Sequence, residues 1–240
     1  MRERPILFNG AMVRAILSGA KTQTRRAINL PHHNPLGQWE ACTSGGHGAR
    51  DRKGNLVPEE VCIWHTRTGD TLVCPFGQPG DRLWVRETWM PGYYHEADHE
   101  DGPQVSIIHR ANNAEVTVAA PSYELAEQWE REFSEDGDEA PPWRHSIHMP
   151  RWACRLVLEI TDVRVERLQA ISEADAEAEG ANPVAAKVPT HRDAFRYLWG
   201  DTGCDWESNP WVWVVGFRPL EAGRHHAASD TTKETRDGRS

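Results

Sequence analysis

RWACRLVLEITDVRVERL, residues 151–168, is the clearest strand material in the chain. Leu156, Leu158 and Ile160 recur at every second position, and Val163 and Val165 resume the pattern after a one-residue shift. Branched residues in period-two alternation predict a strand, and the shift predicts a bulge or bend within it. Outward from it, WVWVVGFRPL (211–220) reads as a closing strand, and GQPGDRLWVRETW (77–89) as a Pro-Gly-Asp turn feeding a strand over 82–89. NGAMVRAILS (9–18) predicts a short helix capped by Asn9, with Met12, Ala15 and Ile16 as its apolar stripe and Gly19 as its left-handed stop. TQTRRAI (22–28) follows as a short strand with Thr22, Thr24 and Arg26 on one face.

The rest is less regular. Residues 31–79 are rich in Pro, Gly and His and read mostly as loop, with a hairpin around VCIWHTRTGDTLVC (61–74). Residues 91–145 read as an insertion: a strand pair at VSIIHRA and AEVTVAA, a helix at SYELAEQWEREF, and an exposed linker, SEDGDEAPP. ISEADAEAEG (171–180) predicts a helix capped by Ser172 and stopped by Gly180, and HRDAFRYLWGDT (191–202) an amphipathic one. The last stretch, 221–240, has almost no large apolar residue and is expected to be disordered. Non-repeating strands with few helices give an α+β fold, a small curled sheet or barrel. The expected organisation is one domain over 1–220, with insertions near 31–79 and 91–145.

Composition narrows the function classes. The formal charge of −9, from 27 basic and 36 acidic residues, argues against a sequence-independent nucleic-acid binder but leaves room for a local basic pocket. Residues 1–26 hold six basic residues against the single acid Glu3. The sequence has no apolar run of transmembrane length and no apolar signal core, so a cytosolic protein without a membrane partner is expected. In that compartment Cys42, Cys62, Cys74, Cys154 and Cys204 are expected as free thiols. Cys42, His47, Cys62, His65 and Cys74 are zinc-ligand types, but their spacings lack a paired C-x-x-C or H-x-x-x-H unit. Loop histidines and buried thiols are the default there, and no metal or cofactor is expected.

GAKTQTRR (19–26) holds the densest chemistry. One reading makes Lys21 a solvated cation at a helix end and Thr24 an ordinary strand threonine. The other makes them a nucleophile and its base. A threonine hydroxyl attacks only if its proton is removed, and a lysine removes it only when neutral. Burial and neighbouring cations push a lysine toward neutrality, and Arg25 and Arg26 supply the cations. In a straight strand, residues 21 and 24 point to opposite faces. They converge if Lys21 lies in the turn after Gly19, or if the strand is bulged; the turn is the reading adopted.

Several stretches together resemble the ASCH-domain family. Gly19, Lys21, Thr24 and Arg26 match its Gly-x-Lys-x-x-Glu-x-Arg run after a first helix, and GDRLWVRE, LVLEITDVRVERL, ISEADAEAEG and WVWVVGFRPL resemble the later elements in order. SIHMPRWACR and the end around ESNPWVW resemble longer members often carried by phages and prophages. The resemblance implies a PUA-like β-barrel with flanking helices and a link to RNA or modified nucleosides. Thr24 stands where the family has Glu. That departure resembles small bacterial ASCH amidohydrolases that remove the acyl group from N4-acetylcytidine. Carried over by position, their lysine, threonine and glutamate are Lys21, Thr24 and Glu179, with Glu177 the nearest competitor of Glu179.

The resemblance therefore implies a cofactor-free hydrolase acting on the exocyclic amide of N4-acylated cytosine or cytidine. Glu179 would position the lysine or shuttle a proton to the leaving amine; paired to Lys21, it would raise the lysine pKa and oppose that role. Trp84, Arg86 and Glu87 are candidates for a base-binding wall, or a core ring and a strand-end ion pair. Ser146 and His148 are candidates to face the site, or part of a loop packed on the barrel. Arg26 is a phosphate or carbonyl ligand, or an anchor to an acid. The other functional readings are a PUA-like module that binds RNA or a modified base without chemistry, and a ribonuclease.

Overall fold

A computed structural model of the chain describes residues 1–95, 102–132 and 141–220. The first half runs β1 (Glu3–Leu7), α1 (Gly10–Leu17), β2 (Gln23–Ala27), β3 (Trp39–Ser44), β4 (Glu60–His65), β5 (Thr71–Val73) and β6 (Arg82–Arg86). Then come β7 (Trp89–His95), β8 (Gln104–His109), β9 (Ala114–Ala119) and α2 (Tyr123–Glu132). The last part runs β10 (Val157–Arg167), α3 (Glu173–Ala178), α4 (Pro183–Ala186), α5 (His191–Gly200) and β11 (Trp211–Pro219), with short 3-10 turns between. Tail 221–240 and most of SEDGDEAPP lie outside the described residues. No described helix is long and apolar enough to cross a membrane.

The fold is α+β. A five-stranded sheet in the order β1-β6-β10-β11-β2 forms its centre, with β1 and β6 parallel and the other pairs antiparallel. β10 bridges β6 and β11, and its pairing with β11 slips between Ile160 and Asp162, where the alternation shifts. β11 is buried on both faces. Trp213, Val215 and Phe217 join one core with Val13 and Ile16 of α1, while Val212 and Val214 join another with Ala176, Phe195 and Trp199 of α3 and α5. Helices α3 and α5 thus cover one face, and α1 covers the other together with Trp39 and Ile63 of β3 and β4. At roughly 25 cal/mol per Å² of apolar surface, each fully buried aliphatic contributes about 1.5–3 kcal/mol before entropy is counted.

The expected barrel is corrected: among the described residues the five strands do not close. β1 and β2 stay as edges and do not pair. They are joined by α1 and by single links, such as Arg26 Nη2 donating to the Leu7 carbonyl at 2.6 Å. Asn9 does cap α1, its Oδ1 accepting from Met12 N at 2.9 Å, but the buried stripe is Val13 and Ile16, with Met12 and Ala15 on its flank.

The two interrupting segments carry more order than their composition suggests. Residues 31–79 hold a three-stranded sheet, β3-β4-β5, rather than mostly loop, and the hairpin at 61–74 is its β4–β5 arm. A second sheet, β7-β8-β9, contains the strand pair expected at 105–120, with α2 beside it. The strand expected over 82–89 is broken after Arg86, and Trp89 begins a strand in the other sheet. Cys42 and Cys62 face each other across β3 and β4 with Cα atoms 5.0 Å apart and form a disulfide, correcting the free-thiol expectation for this pair. Cys74, Cys154 and Cys204 are free.

Candidate functional site

Gly19 closes α1 with φ +78°, and the chain turns so that Lys21 N donates to the Ala15 carbonyl at 3.0 Å. Lys21 therefore lies in the turn before β2 rather than in the strand. It forms an isolated antiparallel bridge with Glu179, and Thr22 N donates to the Ala178 carbonyl at 2.8 Å. The start of β2 is thereby fixed to the end of α3.

Glu179 is the C-cap of α3, a helix whose N-cap Ser172 accepts from Asp175 N at 3.1 Å. Gly180 then turns with φ +79°, and a Cβ there would sit 3.2 Å from the Cβ atoms of Ala15 and Lys21. Only glycine meets both conditions. The result separates the two acidic candidates: Glu179 is buried against Lys21, whereas Glu177 is exposed on another groove.

Lys21 Nζ donates to Glu179 Oε2 at 2.8 Å and to the Glu179 carbonyl at 2.9 Å. The two side chains are only 2% and 4% exposed. The lysine pKa is held below its ordinary value of 10.5, chiefly by burial; Glu179 opposes the shift, while Arg26 and Arg25 reinforce it. A buried ammonium costs several kcal/mol unless it is paired, and here the carboxylate pair falls short of cancelling the burial.

Strand parity distributes the neighbours. β2 is an edge strand, and Thr24 and Arg26 lie opposite Val215 and Trp213, on the α1 side, while Arg25 lies opposite Val214, on the α3–α5 side. A pocket at this edge draws from both faces. Its volume is about 340 Å³. Its polar lining is Lys21, Thr24, Arg25, Arg26, Glu179 and Thr202, and its apolar lining includes Met12, Phe76, Phe195, Leu198 and Trp199. Thr24 is buried as a residue and lies in the wall of this pocket. Arg26 packs over the Phe8 ring at 5.2 Å, and burial holds its guanidinium below the ordinary arginine value despite Glu179.

Sequence reasoning passed over Gln23, Glu166 and Asp175, which hold Arg25 and α3 in place, and the apolar wall from α5. Their signal was faint: Phe195, Leu198 and Trp199 follow an ordinary amphipathic pattern that does not reveal which cavity they face.

Trp84, Arg86, Glu87 and Ser146 are not among the residues lining this pocket. Arg86 lies over the Trp84 ring at 5.4 Å. Glu87 is buried and held in a fork by Arg155, at 2.9 Å from each carboxylate oxygen, with His109 Nδ1 3.3 Å away. Burial raises the Glu87 pKa, but His109 and Arg155 outweigh it and leave the carboxyl below the usual range. Half-buried Ser146 opens a 3-10 turn whose other two residues, Ile147 and His148, are exposed. Among the described residues, no group of three or more His, Cys, Asp or Glu side chains is placed to hold a metal ion.

Fold and pocket together define an α+β protein with a buried lysine–carboxylate pair and a threonine hydroxyl at one edge of its central sheet. Comparison with protein-family models, curated proteins and solved structures finds no match to this chain.

Proposed function

We propose that the chain is an amidohydrolase that cleaves the exocyclic amide of N4-acylated cytosine or cytidine, on a PUA-like fold of the ASCH type. The observation that carries this reading is the meeting of Lys21, Thr24 and Glu179 at one pocket, with the lysine pushed toward its neutral form by burial. Neutral Lys21 takes the Thr24 proton while the hydroxyl oxygen attacks the acyl carbon. The tetrahedral adduct collapses with cleavage of the C–N bond, and the proton on Lys21 passes to the departing N4. Water then attacks the threonine ester, giving one proton to Lys21; this adduct collapses with cleavage of the bond to the Thr24 oxygen, which takes that proton back from Lys21, and the acid product leaves as its carboxylate with its own proton lost to solvent. Glu179 keeps the lysine aimed, and Arg26 in the pocket wall supplies positive charge for the oxyanion.

The Lys21–Glu179 contact also favours a second reading, in which the pair stays charged and the pocket binds a modified base or RNA without turnover. Metal-free assay of N4-acetylcytidine separates the two. Cytidine release by the wild type, retained in Thr24→Ser and reduced about 10²-fold or more in Thr24→Ala, supports hydrolysis. Tight binding of the nucleoside with no release supports the binding module.

A further inference from the structure

Arg25 is the charged residue of GAKTQTRR that neither the motif nor the reaction above uses. Its side chain is fully buried, and it reaches three carboxylates: Glu179 Oε1 at 3.3 Å, Glu166 Oε2 at 2.9 Å and Asp175 Oδ2 at 3.4 Å. Arg164, in the same cross-strand row on the helix-facing side, holds Glu166 Oε1 at 2.6 Å and Asp175 Oδ1 at 2.7 Å from the rim. Glu179 is thus divided, one oxygen on Lys21 and the other on Arg25.

We propose that Arg25 is a positioning residue: it fixes the Glu179 carboxylate and draws on its charge, so that Lys21 is aimed at Thr24 without being held permanently as an ammonium. This rests on the amidohydrolase reading and adds the device that sets its base. The charged groups facing Lys21 are Glu179 from the end of α3 and Arg25 and Arg26 from β2. Behind Arg25 stand Glu166 and Arg164 of β10 and Asp175 of α3. Glu166 therefore acts as a control: it neutralises part of Arg25 without touching Lys21. Removing Arg25 leaves Glu179 wholly to Lys21, while removing the Glu166 charge leaves more of the Arg25 charge to act on Glu179. The two changes push the lysine in opposite directions, which a merely structural role does not do.

The sequence has only four lysines, Lys21, Lys53, Lys187 and Lys233, so lysine labelled with ¹³C at Cε gives four signals to follow. NMR titration of the full chain is run on wild type, Arg25→Met and Glu166→Gln, alongside the pH profile of kcat/KM on N4-acetylcytidine. The expected result is a Lys21 midpoint raised by about one pH unit or more in Arg25→Met and lowered in Glu166→Gln, with the acid limb of kcat/KM following. If Arg25→Met does not fold, Glu166→Gln carries the test alone. An unmoved Lys21 midpoint in the folded variants overturns the proposal. Shifted midpoints without cytidine release by the wild type support the role of Arg25 and reject the hydrolase reading instead.

Discussion

Lys21 concentrates the account at the scale of one residue. In the proposed reaction its neutral form is the base, so kcat/KM should rise with pH through the Lys21 midpoint, which burial holds below the ordinary lysine value. The same shift affects stability. Between the folded midpoint and 10.5 the unfolded chain binds the extra proton, so unfolding free energy should increase with pH across that window. Thermal melts of wild type and Lys21→Met over the alkaline range check this, and the Met variant should lack that part of the slope. Sequence already pointed to Lys21, Thr24 and the helix-end acid, because their types and spacing carry the resemblance. The sequence named Glu179 with Glu177 as its nearest competitor, and the separation of the two came only with the structure. That separation depends on where α3 stops, and a one-residue change at a helix end rotates a side chain by about 100°. The burial of Arg25 was hidden too, since adjacent arginines on a strand divide between its faces and only the sheet decides which face is inside.

Among the elements, the junction of α1, β2 and α3 matters most. Gly180 lets α3 end against Lys21, and its positive φ and its 3.2 Å neighbours would strain any side chain there. Gly180→Ala should cost about 1–2 kcal/mol from the left-handed backbone alone, and more from contact with Ala15 and Lys21. A melting temperature lowered by several degrees, together with a loss of rate larger than that of a surface Ala control, is the expected outcome. Helix caps were readable because Asn9 and Ser172 announce them locally. Of the sheet in residues 31–79 only the β4–β5 hairpin was readable; β3 was hidden because Gly and Pro between the strands conceal a pairing that only a long-range partner stabilises. The break between β6 and β7 escaped for a similar reason: Glu87 and Thr88 have no turn residue to mark the change of sheet.

At the scale of the whole molecule, the described residues form three sheets, and the pocket lies at the edge of the central one. The Cys42–Cys62 disulfide staples the outlying β3–β4 pair, across a sequence separation of 20 residues. Closing a loop of that size stabilises by about 3 kcal/mol in the chain-entropy view. Reduction should therefore lower amide protection along β3 and β4 by hydrogen exchange while leaving cytidine release unchanged, since neither strand lines the pocket. The α+β class was legible from period and composition. Failure of the barrel to close was not, because closure depends on whether the edges β1 and β2 pair, and neither short strand carries a signal for its neighbour. The most direct test of the account is cytidine release from N4-acetylcytidine by purified wild type and Lys21→Ala, each confirmed folded by its melting curve. Turnover by the wild type that falls at least about 10²-fold in Lys21→Ala is the predicted result, and release at the wild-type rate by Lys21→Ala would contradict it.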